Sequence, residues 1–312
     1  MKRQKRKNLK VRQHTVPRFY LRKFSFRQTN TNAWTYAYFK EKDVKAPVNI
    51  KKISAPKFFY DKYQPQPVEN YLSIAESDLS RTYHKILEQR SLLNLNRKEL
   101  LKICYLTFFQ YVRTQYMRTK AKQIFSSIED SKKISTHAKK YQKLLIVMND
   151  NWIKEMKTSK WLKVGKKLLT IKKKFIKFLL NQNKMLFEIK SKKRFFYTSD
   201  HPISFDSIKK VDDDGIKFVN IYDKSTKVYY PLSPKLCLLF YDKHSYPEYR
   251  RYPNQKKLIR DKVDKEYTLI NKLTTHEAYL SLYSFKNDFS IAKEYLDKNP
   301  EYRDPNVRRV IK

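Results

Sequence analysis

Glycine is nearly missing: Gly165 and Gly215 are the only two in 312 residues. A Walker A loop, a dinucleotide-binding turn and a serine nucleophile elbow all need clustered glycines. Only a residue without Cβ lets backbone approach a phosphate that closely or turn that sharply. Those three function classes are disfavoured. Cysteine is equally scarce. Cys104 and Cys237 sit far apart in the apolar runs KICYLTFF and LCLLFY, which suits reduced core residues and neither a zinc cluster nor a disulfide scaffold. No stretch reaches the roughly 20 apolar residues that a bilayer span needs. The basic opening, residues 1–12, leads into no apolar run of the kind a secretory leader carries. The expectation is a soluble, cytoplasmic protein with no membrane span.

Positive charge and aromatic rings fill the space. The chain holds 70 Lys and Arg against 30 Asp and Glu, a net charge of +40, with 15% aromatic and 40% apolar residues. Abundant Lys, Asn, Ile, Tyr and Phe beside so little Gly look like the product of an A/T-rich gene, which accounts for part of the charge. The rest is uneven in a telling way. Residues 1–27 carry eleven Lys and Arg and no acid, and residues 151–197 carry fifteen against two. Such a field attracts polyanions, and nucleic acid is the usual one.

Residues 1–12 read as a basic arm, mobile until something anionic orders it. In Gln13-His14-Thr15-Val16-Pro17-Arg18-Phe19-Tyr20-Leu21 the proline sets an extended lead-in for His14, and the apolar run behind it anchors the segment. Trp34–Phe39 alternates as a strand does, and Val48–Ile50 and Phe58–Tyr60 read as short extended pieces. Asp61 to Pro67 is a loop. From Val68 the period changes: Val68, Leu72, Ala75, Leu79, Tyr83 and Ile86 mark an amphipathic helix opened by Pro67. Glu69 and Glu76, seven apart, project from nearly one azimuth beside that stripe. They are either surface carboxylates answering nearby cations or a pair facing a cleft.

A second helix starts at Asn96 with Glu99 in capping-box position and runs to about Lys120. Its face is apolar enough to be buried, yet Arg113 sits in it. A guanidinium held against a core costs several kcal/mol unless paired, so Glu69, Glu76 or a bound anion is the expected partner. Two more helices with basic outer faces fill residues 121–182, with Trp152 and Trp161 at the core edge. The KKKFIKFLL run is read as a charged helix packed on the domain, in preference to one lying on a membrane surface. Beyond Lys184 the pattern turns to strands. Met185–Ile189 and Arg194–Thr198 suggest a hairpin, Asp212–Gly215 a turn, and Phe218–Tyr222, Val228–Pro234, Leu236–Tyr241 and Ala278–Tyr283 more sheet. Leu269–Leu273 is a helix end containing Asn271, and a polar tail closes the chain.

The fold class expected is α+β: a helix-rich N-terminal and central part packed with a mainly antiparallel sheet from the C-terminal half, to which an N-terminal strand can add. The expected organisation is the arm at 1–12 and a single domain over 13–312, helical over about 67–182 and β-rich over about 184–283.

Five motifs, HTVPRFYLRKF, YLSIAESDL, QYVRTQYMR, TSDHPI and YPLSP, resemble those of the domain-of-unknown-function family numbered 4238, found in bacteria and phages. Asn271 falls where that family often has asparagine. The resemblance spans about residues 13–283; the HTVPRFYL match is the specific one. One departure is His201, where the family more often carries a small polar residue such as asparagine. The family supplies no activity, so the chemistry must come from the residues.

Polar residues beside apolar anchors in separate motifs mark the candidate site: His14, Glu69, Glu76, Arg113 and Asp200 as catalytic groups, with Arg18, Tyr20, Arg118, Ser199 and Asn271 as substrate-binding ones. Histidine titrates near neutrality and moves protons. Glutamate supplies the complementary base, and arginine stabilises a phosphate as charge develops on it. That is the chemistry of metal-independent phosphodiester cleavage, with no cofactor. The runner-up places a divalent cation at Glu69, Glu76 and Asp200. Each residue also has a bland reading: His14 as a core histidine locked by one hydrogen bond, Asp200 as a turn cap. The function expected is a nuclease preferring RNA, of toxin or phage-defence type. The alternative is a nucleic-acid-binding protein without catalysis, whose basic faces track phosphate and whose aromatics stack on bases.

Overall fold

A computed structural model describes residues 9–126, 131–149, 160–207, 221–252, 256–259 and 265–305. Residues 1–8 of the basic arm, Trp152, the side chain of Trp161, the Asp212–Gly215 turn and most of the Phe218–Tyr222 strand lie outside the described residues.

Helices and sheets share the chain as an α+β protein. After the short helix α1 (Arg18–Leu21), the strands β1 (Arg27–Gln28), β2 (Ala33–Phe39) and β3 (Val44–Asn49) form an antiparallel group. Five helices follow: α2 (Pro67–Gln89), α3 (Arg97–Val112), α4 (Gln115–Ser126), α5 (Ser131–Val147) and α6 (Lys160–Asn181). Strands β4 (Asn183–Ile189), β5 (Thr198–Ser199), β6 (Ser204–Ser207), β7 (Thr226–Ser233), β8 (Leu236–Tyr241) and β9 (Lys256–Ile259) precede α7 (Lys265–Glu277), β10 (Ser281–Ser284) and α8 (Ser290–Lys298). The N-terminal strands do join the C-terminal half: β2 pairs with β10, and β10 with β5, all antiparallel. A second sheet runs β6-β7-β8-β4-β9, antiparallel except for the β4–β9 pair.

The capping box at Asn96 forms as its sequence requires, Asn96 Oδ1 accepting from Glu99 N and Glu99 Oε2 from Asn96 N. Both cysteines are free and buried. Helix α6 packs on α3 through Phe175, which meets Phe108 and Tyr111 at 5.6 Å. Its Lys172 is buried and donates to the carbonyls of Ile146 and Met148, while Lys163, Lys166, Lys167, Lys173, Lys174 and Lys177 are exposed. No helix among the described residues is long and apolar enough to cross a membrane.

Four local expectations need correcting. The 185–189/194–198 hairpin does not form. Strand β4 pairs instead with β8 and β9, because residues 195–197 are held by the Asn271 side chain, through Tyr197 N and Phe195 O. The helix beginning at Arg97 stops at Val112 rather than near Lys120. Arg113 is its C-cap, and Gln142 Nε2 takes up the freed carbonyls of Val112 and Thr114. Phe58–Tyr60 is no strand, since Phe58 has a positive φ of 51°. The polar tail contains α8, whose apolar face buries Ala292 and Leu296.

Candidate functional site

The segment that carries His14 is stitched into the protein by backbone. Thr15 N donates to Ser54 O (2.7 Å), Phe58 N to Val11 O (2.8 Å), and Arg12 bridges Lys57. Gln13, fully buried, accepts through Oε1 from Tyr60 N and Asp61 N and donates through Nε2 to the Asp61 carbonyl. Asp61 in turn accepts from Val68 N and Glu69 N at the start of α2 and pairs with Lys143 at 2.7 Å. A carboxylate there meets the exposed N–H groups and the positive end of the helix dipole.

Arg113 is the joint. Only 2% exposed, it donates from Nη1 to Glu76 Oε1 and from Nη2 to the His14 carbonyl, both at 2.5 Å. The Tyr60 hydroxyl donates to its carbonyl (2.7 Å). Burial works against the charge, but Glu76 and then Tyr60 outweigh it and the guanidinium stays protonated. The expected Arg113–carboxylate contact is therefore made, with Glu76. Glu69 reaches Lys10 at 3.4 Å. Burial raises its pKa against the pull of Lys10 and Arg113, with the Glu76 charge adding to the rise.

His14, whose carbonyl Arg113 holds, is itself half-buried. Its Nε2 lies 3.3 Å from the Ile50 carbonyl. A carbonyl can only accept, so Nε2 holds the proton and Nδ1 is left as a lone-pair acceptor; among the described residues Nδ1 has no hydrogen-bond partner. Burial, with help from the Arg113, Arg18 and Arg12 charges, lowers its pKa to about 4. At neutral pH the imidazole is thus a neutral base in a cationic surround. Arg18 is exposed and reaches the Thr31 carbonyl at 3.5 Å.

The other expected site residues are placed differently. Asp200 is buried, with Oδ1 accepting from Tyr279 N and Oδ2 from Leu280 N and Ser281 N. Burial pushes its pKa up to about 6 against those donors and Lys40. Its neighbour His201 touches the joint instead: Nδ1 is 2.8 Å from Thr114 Oγ1, and the ring packs on Tyr116 and Tyr111. Ser199, buried in β5, accepts from His201 N. The Tyr20 hydroxyl bonds Thr198 Oγ1 and the Pro231 carbonyl (2.6 Å each). Arg118 lies 3.4 Å over the Phe59 ring and donates to Phe59 O and Gln142 Oε1; burial lowers its pKa to about 10. Asn271 is fully buried in the backbone clamp already described. So His14, Arg113 and Glu76 converge, with Glu69 and Arg18 in electrostatic reach, while Tyr20, Arg118, Ser199, Asp200 and Asn271 are committed to the framework. Among the described residues no group of three or more His, Cys, Asp or Glu could hold a metal ion.

Reading the sequence missed Gln13, Tyr60, Asp61 and Gln142. Only Asp61 left a signal, an acid ahead of Pro67, and it lies farther from the helix than a cap usually does.

The family model "Protein of unknown function (DUF4238)" matches residues 12–288. The chain belongs to this family. No curated protein and no solved structure matches it. In DUF4238 terms, the opening motif, the glutamate helix, the Gln-x-x-Arg-Thr turn and the TSDHP segment are the pieces that meet around Arg113 and Thr114.

Proposed function

We propose that the protein acts on nucleic acid as a nuclease, RNA before DNA, with the His14–Arg113–Glu76 corner as the place of chemistry. The observation that carries the reading is the neutral imidazole with its open Nδ1, held among the Arg113, Arg18 and Arg12 charges, on a backbone that the Arg113–Glu76 pair grips. Nδ1 takes the proton of a ribose 2′-hydroxyl as the 2′ oxygen attacks phosphorus. The bond to the 5′ oxygen breaks, and that oxygen takes a proton from solvent water, while Glu69 stays ion-paired to Lys10. Arg18 and Arg12, both exposed, face the phosphate and stabilise its growing charge. Arg113, too buried to touch substrate, positions His14 and Glu76. A toxin or phage-defence role would fit such an activity. A phosphate bound here would also raise the pKa of His14, since the lowering comes partly from cations that an anion offsets.

The alternative, binding without cleavage, draws on the framework roles of Asp200, Asn271, Tyr20 and Arg118. One experiment separates the two: end-labelled RNA and DNA incubated with the purified protein, with and without a divalent metal or chelator. Cleavage of RNA that His14→Ala abolishes supports the nuclease. Salt-sensitive binding without cleavage supports the binder. Neither binding nor cleavage removes both readings.

A further inference from the structure

The sheet containing β2 has two unlike faces. Ala33, Thr35 and Ala37 turn into the core and are fully buried. Trp34, Tyr36 and Tyr38 share the opposite face, and that face is only half covered. At its Tyr38 end, α8 closes over it: Tyr38 stacks on Phe289 at 5.5 Å and clusters with Leu282 and Leu296. At the other end Trp34 and Tyr36 stay partly exposed. Phe26, 40% exposed, stacks on Tyr36 at 4.3 Å, and the Arg27 guanidinium lies 5.4 Å over Trp34. Across the sheet the same face carries Pro47, which pairs with Tyr36, and Asn49, which pairs with Trp34.

The surrounding charge is of one sign. The first acidic residue of the chain is Glu41, and residues 1–60 hold seventeen Lys and Arg against two acids, Glu41 and Asp43. Both acids lie in the β2–β3 turn, at the covered end. Asp43 is already engaged by the Tyr38 hydroxyl and Arg303. The open end therefore presents rings and cations with no carboxylate from either strand.

We propose that this half-face, Phe26, Trp34 and Tyr36 with Arg27, is a stacking platform for single-stranded nucleic acid. Every base has a π-face, so exposed rings bind a single strand regardless of sequence, and neighbouring guanidiniums follow its phosphates. A duplex hides its bases and gains nothing from the rings. The platform also leads to the corner. Asn49, opposite Trp34, precedes Ile50, whose carbonyl holds the His14 imidazole. Arg18 reaches the Thr31 carbonyl in the loop that ends at β2, and Arg22 reaches Thr29 in the same loop. A strand stacked on the rings runs past those two arginines toward His14. The platform rests on the nucleic-acid reading above and narrows it to unpaired strands.

The test measures binding apart from cleavage. Fluorescently labelled oligo-U RNA, oligo-dT and a duplex of equal length are titrated against the protein at moderate salt. The unaltered chain is compared with Trp34→Leu, Phe26→Leu and Arg27→Gln, all at sites that are not buried; the leucines keep apolar bulk, and thermal melting verifies folding. Each leucine variant is expected to weaken single-strand binding about tenfold, leave duplex binding unchanged, and melt within a few degrees of the unaltered chain. Comparable losses with RNA and DNA assign the platform to stacking; a loss with RNA alone adds recognition of the ribose. Single-strand binding that the variants leave intact overturns the platform while the nucleic-acid reading stands. No binding of any oligonucleotide by the unaltered chain overturns both. A dimer that Trp34→Leu makes monomeric overturns it too, since a second copy would then cover the rings.

Discussion

Two polar clusters sit in the same apolar framework and behave in opposite ways. Around Asp200, Lys40 and Asn271, the charged and amide atoms are spent on backbone. Asp200 takes three N–H groups, Lys40 donates to the Thr275 and Ala278 carbonyls, and Asn271 clamps residues 195–197. Around Arg113 a side-chain ion pair with Glu76 stands among bonds to backbone from Arg113, Tyr60 and His14, and His14 keeps a ring nitrogen open. A buried polar residue whose atoms are all taken by backbone specifies a chain path; one that keeps an atom open can do chemistry. The difference lies in hydrogen-bond accounting, not in residue type.

The largest effect expected is on activity at the open cluster. His14→Ala removes the proton carrier and little buried apolar area, so cleavage should fall by about two to four orders of magnitude. Melting temperature should move only slightly, and binding should hold because Lys and Arg supply it. A variant that loses fold and activity together places His14 with the framework cluster and breaks the comparison.

Next comes Asp200→Ala, which strands three N–H groups, those of Tyr279 and Ser281 buried and that of Leu280 partly so. Each costs about 1–3 kcal/mol unpaired, so unfolding in urea should show a loss of about 3 kcal/mol or more. Whatever protein remains folded should cleave normally. Lost activity in fully folded protein would move Asp200 into the site.

Glu76→Gln leaves the Arg113 guanidinium buried without its counter-charge. Breaking a fully buried pair costs about 3–5 kcal/mol; Glu76 is 27% exposed, so about 2 kcal/mol is expected. Arg113→Met together with Glu76→Leu should recover much of it, and a double-mutant cycle reads the coupling. A cycle that closes at zero would show the two residues to be independent.

The smallest effect is a slope with pH. His14 has a pKa of about 4 in the fold against 6.5 in its absence. Between those values the unfolded chain binds more protons, so this group's contribution is complete above pH 6.5 and lost as pH falls toward 4. Asp200, raised from 3.8 to about 6, has the opposite sign: its contribution grows as pH falls through 6. The comparison is therefore with His14→Gln. The unaltered chain should lose on the order of 2 kcal/mol relative to that variant between pH 7 and 4.5, and a constant gap would disprove it.

The helices were legible because their signals are local. Pro67 opens α2, Asn96 and Glu99 box the start of α3, and a charge inside an apolar helix called for the carboxylate that Glu76 supplies. The false hairpin at 185–198 came from the same local logic. Two short apolar runs flanking a basic turn look alike whether they pair with each other or with distant chain, and here Asn271, far along the sequence, decides. Motif reading likewise picked out polar residues in both clusters without separating them. Whether the atoms of Asp200 meet a substrate or the N–H groups of residues 279–281 depends on how α7 leads into β10, which no spacing in the sequence encodes.

Tyr20 sets a timetable. Its hydroxyl is anchored on Thr198 and on the carbonyl of Pro231, so the segment holding His14 cannot finish docking until residue 231 has left the ribosome. Residues 14, 50, 76 and 113 emerge long before that and wait for the floor beneath them. A chain made N-terminus first thus brings the residues of the Arg113 corner out early and secures them late.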